Sequence, residues 1–167
     1  MKTNFPNLLK QFAAAEVDFV IVGDFAGAVY GCTYITQGID ICCDFSAENL
    51  LRLQKALHGL NPVYRMTAKR QKLELTQDKC SRLENLYLDT DIGQLDCLSL
   101  INGIGNFQMV KDKSTLIEAE DIQLRILSLD ALIKAKKAMN RPRDKEAILQ
   151  LEAIKKLRSK ESQSNSQ

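Results

Sequence analysis

Two aspartates stand inside apolar, β-like runs: Asp40 in Ile39-Asp40-Ile41-Cys42-Cys43 and Asp96 in Leu95-Asp96-Cys97-Leu98. A charge in the middle of a strand is costly to bury unless something compensates it. A divalent cation would do so, and Mg²⁺ typically takes one or two carboxylates together with phosphate oxygens and water. Upstream of both, the run Phe19-Val20-Ile21-Val22 stops at Gly23, and a small-residue segment closed by Gly31 follows. A glycine turn into a helix offers free backbone N–H groups and the positive end of a dipole, which suits phosphate. Together these features suggest a nucleoside triphosphate lying on the Gly23 turn. Metal, Mg²⁺ or Mn²⁺, would bridge its phosphates to Asp40 and Asp96. Such a site performs in-line phosphoryl or nucleotidyl transfer by positioning and charge neutralisation. The plainer alternative is that both aspartates are edge or strand-end residues in water. Spacing alone leaves the two open. Asp44 reads better as a cap for the next turn and helix, and Asp89 and Asp91 as turn residues.

These residues need strands and a turn to hold them. The order strand (18–23), short helix (25–31), strand (39–44) is read from the apolar runs and glycines. On the second strand Gly38, Asp40, Cys42 and Asp44 share one face, and Ile39, Ile41 and Cys43 the other. A helix over 7–15 precedes them, with Leu8, Leu9 and Phe12 on one stripe. Ser46 caps a helix carrying Leu50, Leu53 and Leu57, stopped by Gly59 and Asn61-Pro62. Short strands are expected at 62–66 and 72–75. A hairpin joins 86–90 to 94–98 around Asp91-Ile92-Gly93. Gly103 and Gly105 mark a loop, and 121–127 alternates as a strand. Ser128 caps a helix over 129–139, Asn140-Arg141-Pro142 breaks it, and a last helix runs over 144–157. Strands early and helices late argue for an α+β fold. Its sheet is mixed and largely antiparallel, flanked by helices, with further helices at the C-terminus. Residues 1–157 form one domain, and the polar, aperiodic stretch 158–167 is expected to be a disordered tail.

With 167 residues, 45% of them hydrophobic, the chain can bury a core as a single domain. Its net charge of +2 makes no strong case for nucleic acid. Lys134, Lys136, Lys137, Arg141, Arg143 and Lys145 do cluster late. No aromatic residues interleave with that cluster to stack on bases, and a solvated helix face explains it equally well. No apolar run approaches the roughly 20 residues of a membrane span. The N-terminal stretch lacks the apolar core of a signal peptide, so a cytoplasmic protein is expected. The five cysteines fall mostly inside β-like runs, as buried reduced thiols do. With no CxxC and one histidine, His58, zinc is not indicated.

The pattern Val22-Gly23-x-x-Ala26-x-x-x-x-Gly31, then Thr36-x-x-Ile39-Asp40-Ile41, resembles the minimal nucleotidyltransferases of the DNA polymerase beta superfamily. It is similar in particular to the small bacterial branch related to toxin–antitoxin and abortive-infection nucleotidyltransferases. The likeness continues through Leu95-Asp96-Cys97-Leu98 and Leu127-Ser128-Leu129-Asp130-x-Leu132-Ile133-x-x-Lys136 to Arg141-Pro142-Arg143-Asp144, covering roughly residues 5 to 157. It implies a two-residue turn that holds the triphosphate, an Asp-x-Asp pair and a third Asp that bind two Mg²⁺. By position, Gly23 is the first turn residue, Asp40 the second member of the pair, and Asp96 the third carboxylate. Lys136 and the Arg143-Asp144 pair match positions near the nucleotide. Lys136 also falls on the stripe of Leu132, Ile133 and Met139, where a lysine stem can equally snorkel to water.

Two positions depart from the family pattern. Asp24 stands where the turn usually has Gly or Ser, and Gly38 where the pair has its first aspartate. Asp24 brings negative charge to the phosphate corner, and Gly38 removes a carboxylate from the metal site; both weaken catalysis. If the first two strands are neighbours, Asp24 can supply what Gly38 lacks, giving a relocated triad of Asp24, Asp40 and Asp96. Otherwise the site is degenerate. Three functions follow. One is an Mg²⁺-dependent transferase moving a nucleoside monophosphate from NTP to an unknown acceptor. A second is an inactive nucleotide- or partner-binding member of the same fold, within a toxin–antitoxin-like pair. The third, ranked last, is a nucleic-acid-binding module built on the basic helices.

Overall fold

The computed structural model describes residues 5–34 and 36–165. In chain order its elements are α1 (Phe5–Ala14), β1 (Phe19–Val22), α2 (Gly23–Tyr30), β2 (Gly38–Cys43), α3 (Ala47–Ala56), β3 (Val63–Tyr64), α4 (Gln77–Cys80), β4 (Asn85–Thr90) and β5 (Gly93–Leu98). They continue with β6 (Leu100–Ile101), β7 (Gly105–Asn106), α5 (Phe107–Asp112), β8 (Ser114–Ala119), β9 (Ile122–Leu127), α6 (Leu129–Met139) and α7 (Pro142–Ser164).

Seven strands form one sheet in the order β3-β4-β5-β2-β1-β9-β8. The β5–β2 and β1–β9 pairs are parallel and the remaining pairs antiparallel. The fold is therefore α+β with a mixed, largely antiparallel sheet and C-terminal helices, as the alternation of patterns indicates. The expected face assignment on β2 holds: Ile39, Ile41 and Cys43 are buried in a core with Leu8 and Phe12 of α1 and Leu50 and Leu53 of α3. Phe12 and Phe19 meet edge-to-face at 5.5 Å, the arrangement aromatic quadrupoles favour. Asn49, on the first turn of α3, bonds to the backbone of both Asp18 and Asp44, which fixes the far ends of β1 and β2. Ser46 and Ser128 cap α3 and α6 as expected, accepting from Asn49 N and Ala131 N. The Asp44 carboxylate accepts from Ser46 N, the capping role anticipated for it. All five cysteines are buried and free. Among the described residues no helix is long and apolar enough to cross a membrane.

The elements differ from these expectations in several places. The helix expected over 25–31 begins at Gly23, because that residue turns the chain by itself at φ +68°, a left-handed backbone glycine adopts freely. The stretch 72–75 forms one bridge, Val63↔Lys72, and no strand. Strand β8, absent from the sequence reading, pairs antiparallel with β9 at the edge of the sheet. Its Leu116 is outward and 55% exposed, so the alternation does not follow burial. Finally, α7 runs to Ser164, beyond the expected 157 and through most of the supposed tail. Lys, Arg, Glu and Gln there are good helix formers, and an established helix propagates through them, with Arg158 lying over the Tyr30 ring at 5.0 Å. Residues 166–167 lie outside the described residues.

Candidate active site

The second face of the sheet carries the polar row. On β2 and β5 the register pairs Asp40 with Asp96, and on β4 Tyr87 pairs with Asp96. Val22 of β1 pairs with Asp40 from the other side. Register partners project to the same face, so Val22, Asp40, Asp96 and Tyr87 form one line across the sheet. Gly23 follows Val22 directly, which places the turn into α2 at the end of that line.

A cleft of about 740 Å³ opens along this row. All six residues singled out from the sequence line it: Gly23, Asp24, Asp40, Asp96, Lys136 and Arg143. Its opposite wall is Leu132, Ala135 and Met139 of α6, with Arg141 and Arg143 at the start of α7. Asn85, Tyr87, Ser99 and Asn102 stand on the β4 and β6 side. The elements meet here because β1 and β2 run antiparallel, which returns Asp40 beside the Gly23 turn.

Gly23 is required there. A Cβ at that position would lie 2.8 Å from the Asp40 Cβ and 2.9 Å from its Cγ. The Asp40 carboxylate thus fills the space a side chain at 23 would take, next to the Asp24 backbone N–H at the start of α2. Burial, then the Asp96 and Asp24 charges, push the Asp40 carboxyl up to about 6, against the pull of that N–H and of Lys136.

Asp24 and Lys136 are joined by an ion pair between Asp24 Oδ1 and Lys136 Nζ. Lys136 is only 4% exposed, so its ammonium is held inside and does not snorkel to water. Its second neighbour is Asp144 Oδ1 at 3.7 Å. Asp144, 1% exposed, in turn accepts from Arg141 Nε at 2.8 Å, Arg141 Nη2 at 3.1 Å and the Arg141 backbone N–H at 3.1 Å. Burial works against the Asp144 charge, yet the Arg141 bonds and the nearby Lys136 charge hold its carboxyl below the usual range. A chain of alternating charge, buried at Lys136 and Asp144 and partly exposed at its ends, therefore links α2, α6 and α7. Arg143 makes no ion pair among the described residues and is exposed at the cleft.

The two departures from the family pattern have distinct structural outcomes. Asp24 turns its carboxylate to Lys136. Among the described residues no three His, Cys, Asp or Glu side chains converge on one point, so the relocated triad is not gathered. At position 38 a Cβ would stand 2.7 Å from the Gln94 Cβ and 2.8 Å from its carbonyl carbon, closer still to the carbonyl oxygen. The parallel strands approach too closely here for any side chain.

Arg65 escaped the sequence reading. Its Nη2 donates to Asp96 Oδ1, its Nη1 to Leu88 O at 3.0 Å, and its backbone N–H to Tyr87 O at 2.9 Å. The guanidinium lies 5.8 Å from the Tyr87 ring centroid. The partner is 31 residues away in sequence, so no local spacing signals it. No protein-family model matches the chain, and no curated protein matches it.

Proposed function

We propose that the cleft binds a nucleoside triphosphate and transfers its nucleoside monophosphate to an acceptor hydroxyl, with Mg²⁺ or Mn²⁺ as cofactor. One observation carries this reading: Asp40 and Asp96 are register partners facing one cleft with the Gly23 turn. Two adjacent carboxylates, one of them raised by desolvation and by its neighbour's charge, form a donor set that suits a hard divalent cation completed by phosphate oxygens and water. Asp40 and Asp96 would hold the ion, which supplies charge neutralisation at the transferring phosphoryl group.

The protein's own part is positioning. Arg143 offers a cation to the triphosphate at one end of the cleft, beside Arg141, which Asp144 holds. Leu132, Ala135 and Met139 give an apolar wall that excludes water and accepts the sugar and base. Asn85, Tyr87 and Ser99, on the Asp96 side, are placed to receive the acceptor. In the transfer, the acceptor oxygen bonds to the α-phosphorus as the bond to the pyrophosphate oxygen breaks. Such in-line displacement needs alignment and charge compensation more than covalent participation by the protein. The same reading has the protein in the cytoplasm, where nucleoside triphosphates are available and five cysteines stay free.

A second reading, a non-catalytic member that binds nucleotide or a partner protein as in a toxin–antitoxin-like pair, draws on a specific observation. Asp24 occupies Lys136, and Gly38 leaves no room for a third carboxylate. Incubation with NTP labelled at the α-phosphate and Mg²⁺ or Mn²⁺ separates the two. Label transfer that Asp40→Asn and Asp96→Asn abolish supports the transferase. Thermal stabilisation by NTP without turnover supports the nucleotide binder, and neither effect would discard both the transferase and the nucleotide binder.

A further inference from the structure

The carboxylates of the cleft are not equal in their partners. Asp24 is paired with Lys136, and Asp144 is satisfied by Arg141 with Lys136 beyond it. Asp96 is paired with Arg65. Asp40 lies next to a backbone N–H but has no side-chain cation within ion-pair distance among the described residues. Of the carboxylates that line the cleft, Asp24 and Asp96 are therefore compensated by fixed positive charge, while Asp40 and, at the exposed rim, Glu84 have no ion-pair partner among the described residues.

Arg65 is not a casual surface partner. It is 20% exposed at the side chain, and two backbone carbonyls and an aromatic face fix its position. Its own neighbour Asp89, at 3.9 Å, is engaged by Arg70, so the Arg65 charge is directed chiefly at Asp96. It reaches Asp96 from outside the residues that line the cleft. Across the same strand pair Gly38 faces the Gln94 backbone so tightly that no third carboxylate can be accommodated.

We infer that this cleft takes a single divalent cation, shared by Asp40 and Asp96, and that Arg65 is a positioning residue whose fixed charge stands in for a second ion. The inference rests on the reading of the cleft as a nucleoside triphosphate site and differs from the two-ion arrangement that the resemblance implies. Arg65 takes Asp96 Oδ1, which leaves the carboxylate one oxygen for a cation and orients it. A second dication would meet a carboxylate set whose charge is mostly spent, which disfavours its entry.

The test counts Mn²⁺ per chain by electron paramagnetic resonance, with an α,β-methylene nucleoside triphosphate present and thermal shift followed in parallel. The expected result is one tightly bound Mn²⁺ in the wild type, one in Arg65→Lys, and two in Arg65→Gln. Two ions in the wild type would overturn the inference without recourse to any variant. So would a count unchanged by Arg65→Gln in a variant whose circular dichroism shows it folded. Stabilisation by the analogue with no bound Mn²⁺ would overturn the single-ion site while leaving nucleotide binding intact. Neither stabilisation nor Mn²⁺ binding would remove the proposed function together with the inference.

Discussion

Gly38 lies against the backbone of Gln94 so closely that a Cβ on it would stand 2.8 Å from the Gln94 carbonyl carbon. Glycine at this position is therefore a requirement of strand packing in β2 and β5 and cannot be reversed by installing an aspartate. Gly38→Ala is expected to lower stability by about 1–3 kcal/mol, the usual cost of overpacking. In a chain of this length that is a fall in Tm of roughly 2–12 °C. Gly38→Asp is expected to be worse, with or without Asp24→Gly. Calorimetry checks this, and a Gly38→Asp chain that melts like the wild type would refute it.

Asp40 makes stability depend on pH in an unusual direction for a carboxylate. Its carboxyl is raised to about 6 by burial and by neighbouring charge, so the folded state holds a proton that the unfolded chain has lost. Stability from this group is present below the ordinary carboxylate range and declines as pH rises from about 4 to 6. Above 6 the full penalty is in place, roughly 2–3 kcal/mol for a shift of this size. Asp40→Asn keeps an oxygen beside the Asp24 N–H and removes the charge. It is expected to melt above the wild type at pH 7.5 and together with it at pH 4, while losing metal-dependent activity. Equal Tm at both pH values would show that the charge carries no burden.

What the sequence disclosed and what it hid divide along contact range. Asp40, Asp96 and Gly23 were legible because a charge inside a β-like run and a glycine ending one are local anomalies. Adjacent β1 and β2 bring Asp40 to the Gly23 turn, but Asp96 joins them through the parallel pairing of β2 with β5, which no local pattern announces. Lys136 was ambiguous on the α6 stripe, and only the packing of α2 against α6 decides it, by bringing Asp24 to its ammonium. Arg65 was invisible because its partner lies across a long connection and on a different strand. The edge strand β8 was missed because Leu116 points outward, so hydrophobicity there does not track burial. The continuation of α7 was missed for the opposite reason: propensity extends a helix that no apolar periodicity announces.

Lys136 faces two carboxylates, the buried Asp144 and the half-buried Asp24. Replacing it with methionine keeps the stem and removes the charge, so Asp24 and the buried Asp144 lose a counter-charge at once. Leaving a buried ion uncompensated costs about 3–5 kcal/mol. Asp144 keeps its Arg141 bonds and Asp24 is partly solvated, so Lys136→Met is expected to cost less, about 1–3 kcal/mol, and Lys136→Met with Asp24→Asn to recover part of the loss. The coupling, read from a double-mutant cycle of chemical denaturation, is expected at about 1–3 kcal/mol. Strict additivity would mean that the pair contributes nothing to the fold.

Asp24 decides between two accounts of the phosphate corner. If it were a metal ligand, Asp24→Asn would weaken the binding of Mn²⁺ with nucleotide. In the structure its carboxylate engages Lys136 and so competes, from within the chain, with any phosphate that approaches the same ammonium. Neutralising it removes a like charge from the neighbourhood of the incoming anion and frees Lys136 to face it. Asp24→Asn is accordingly expected to tighten inorganic triphosphate by about tenfold, or ~1.4 kcal/mol, measured by calorimetry at low ionic strength. The gain should shrink as salt screens the cleft mouth. The sign alone is diagnostic, since a competitor removed strengthens binding and a ligand removed weakens it. Weaker binding of triphosphate and of Mn²⁺ in Asp24→Asn would return Asp24 to the metal site.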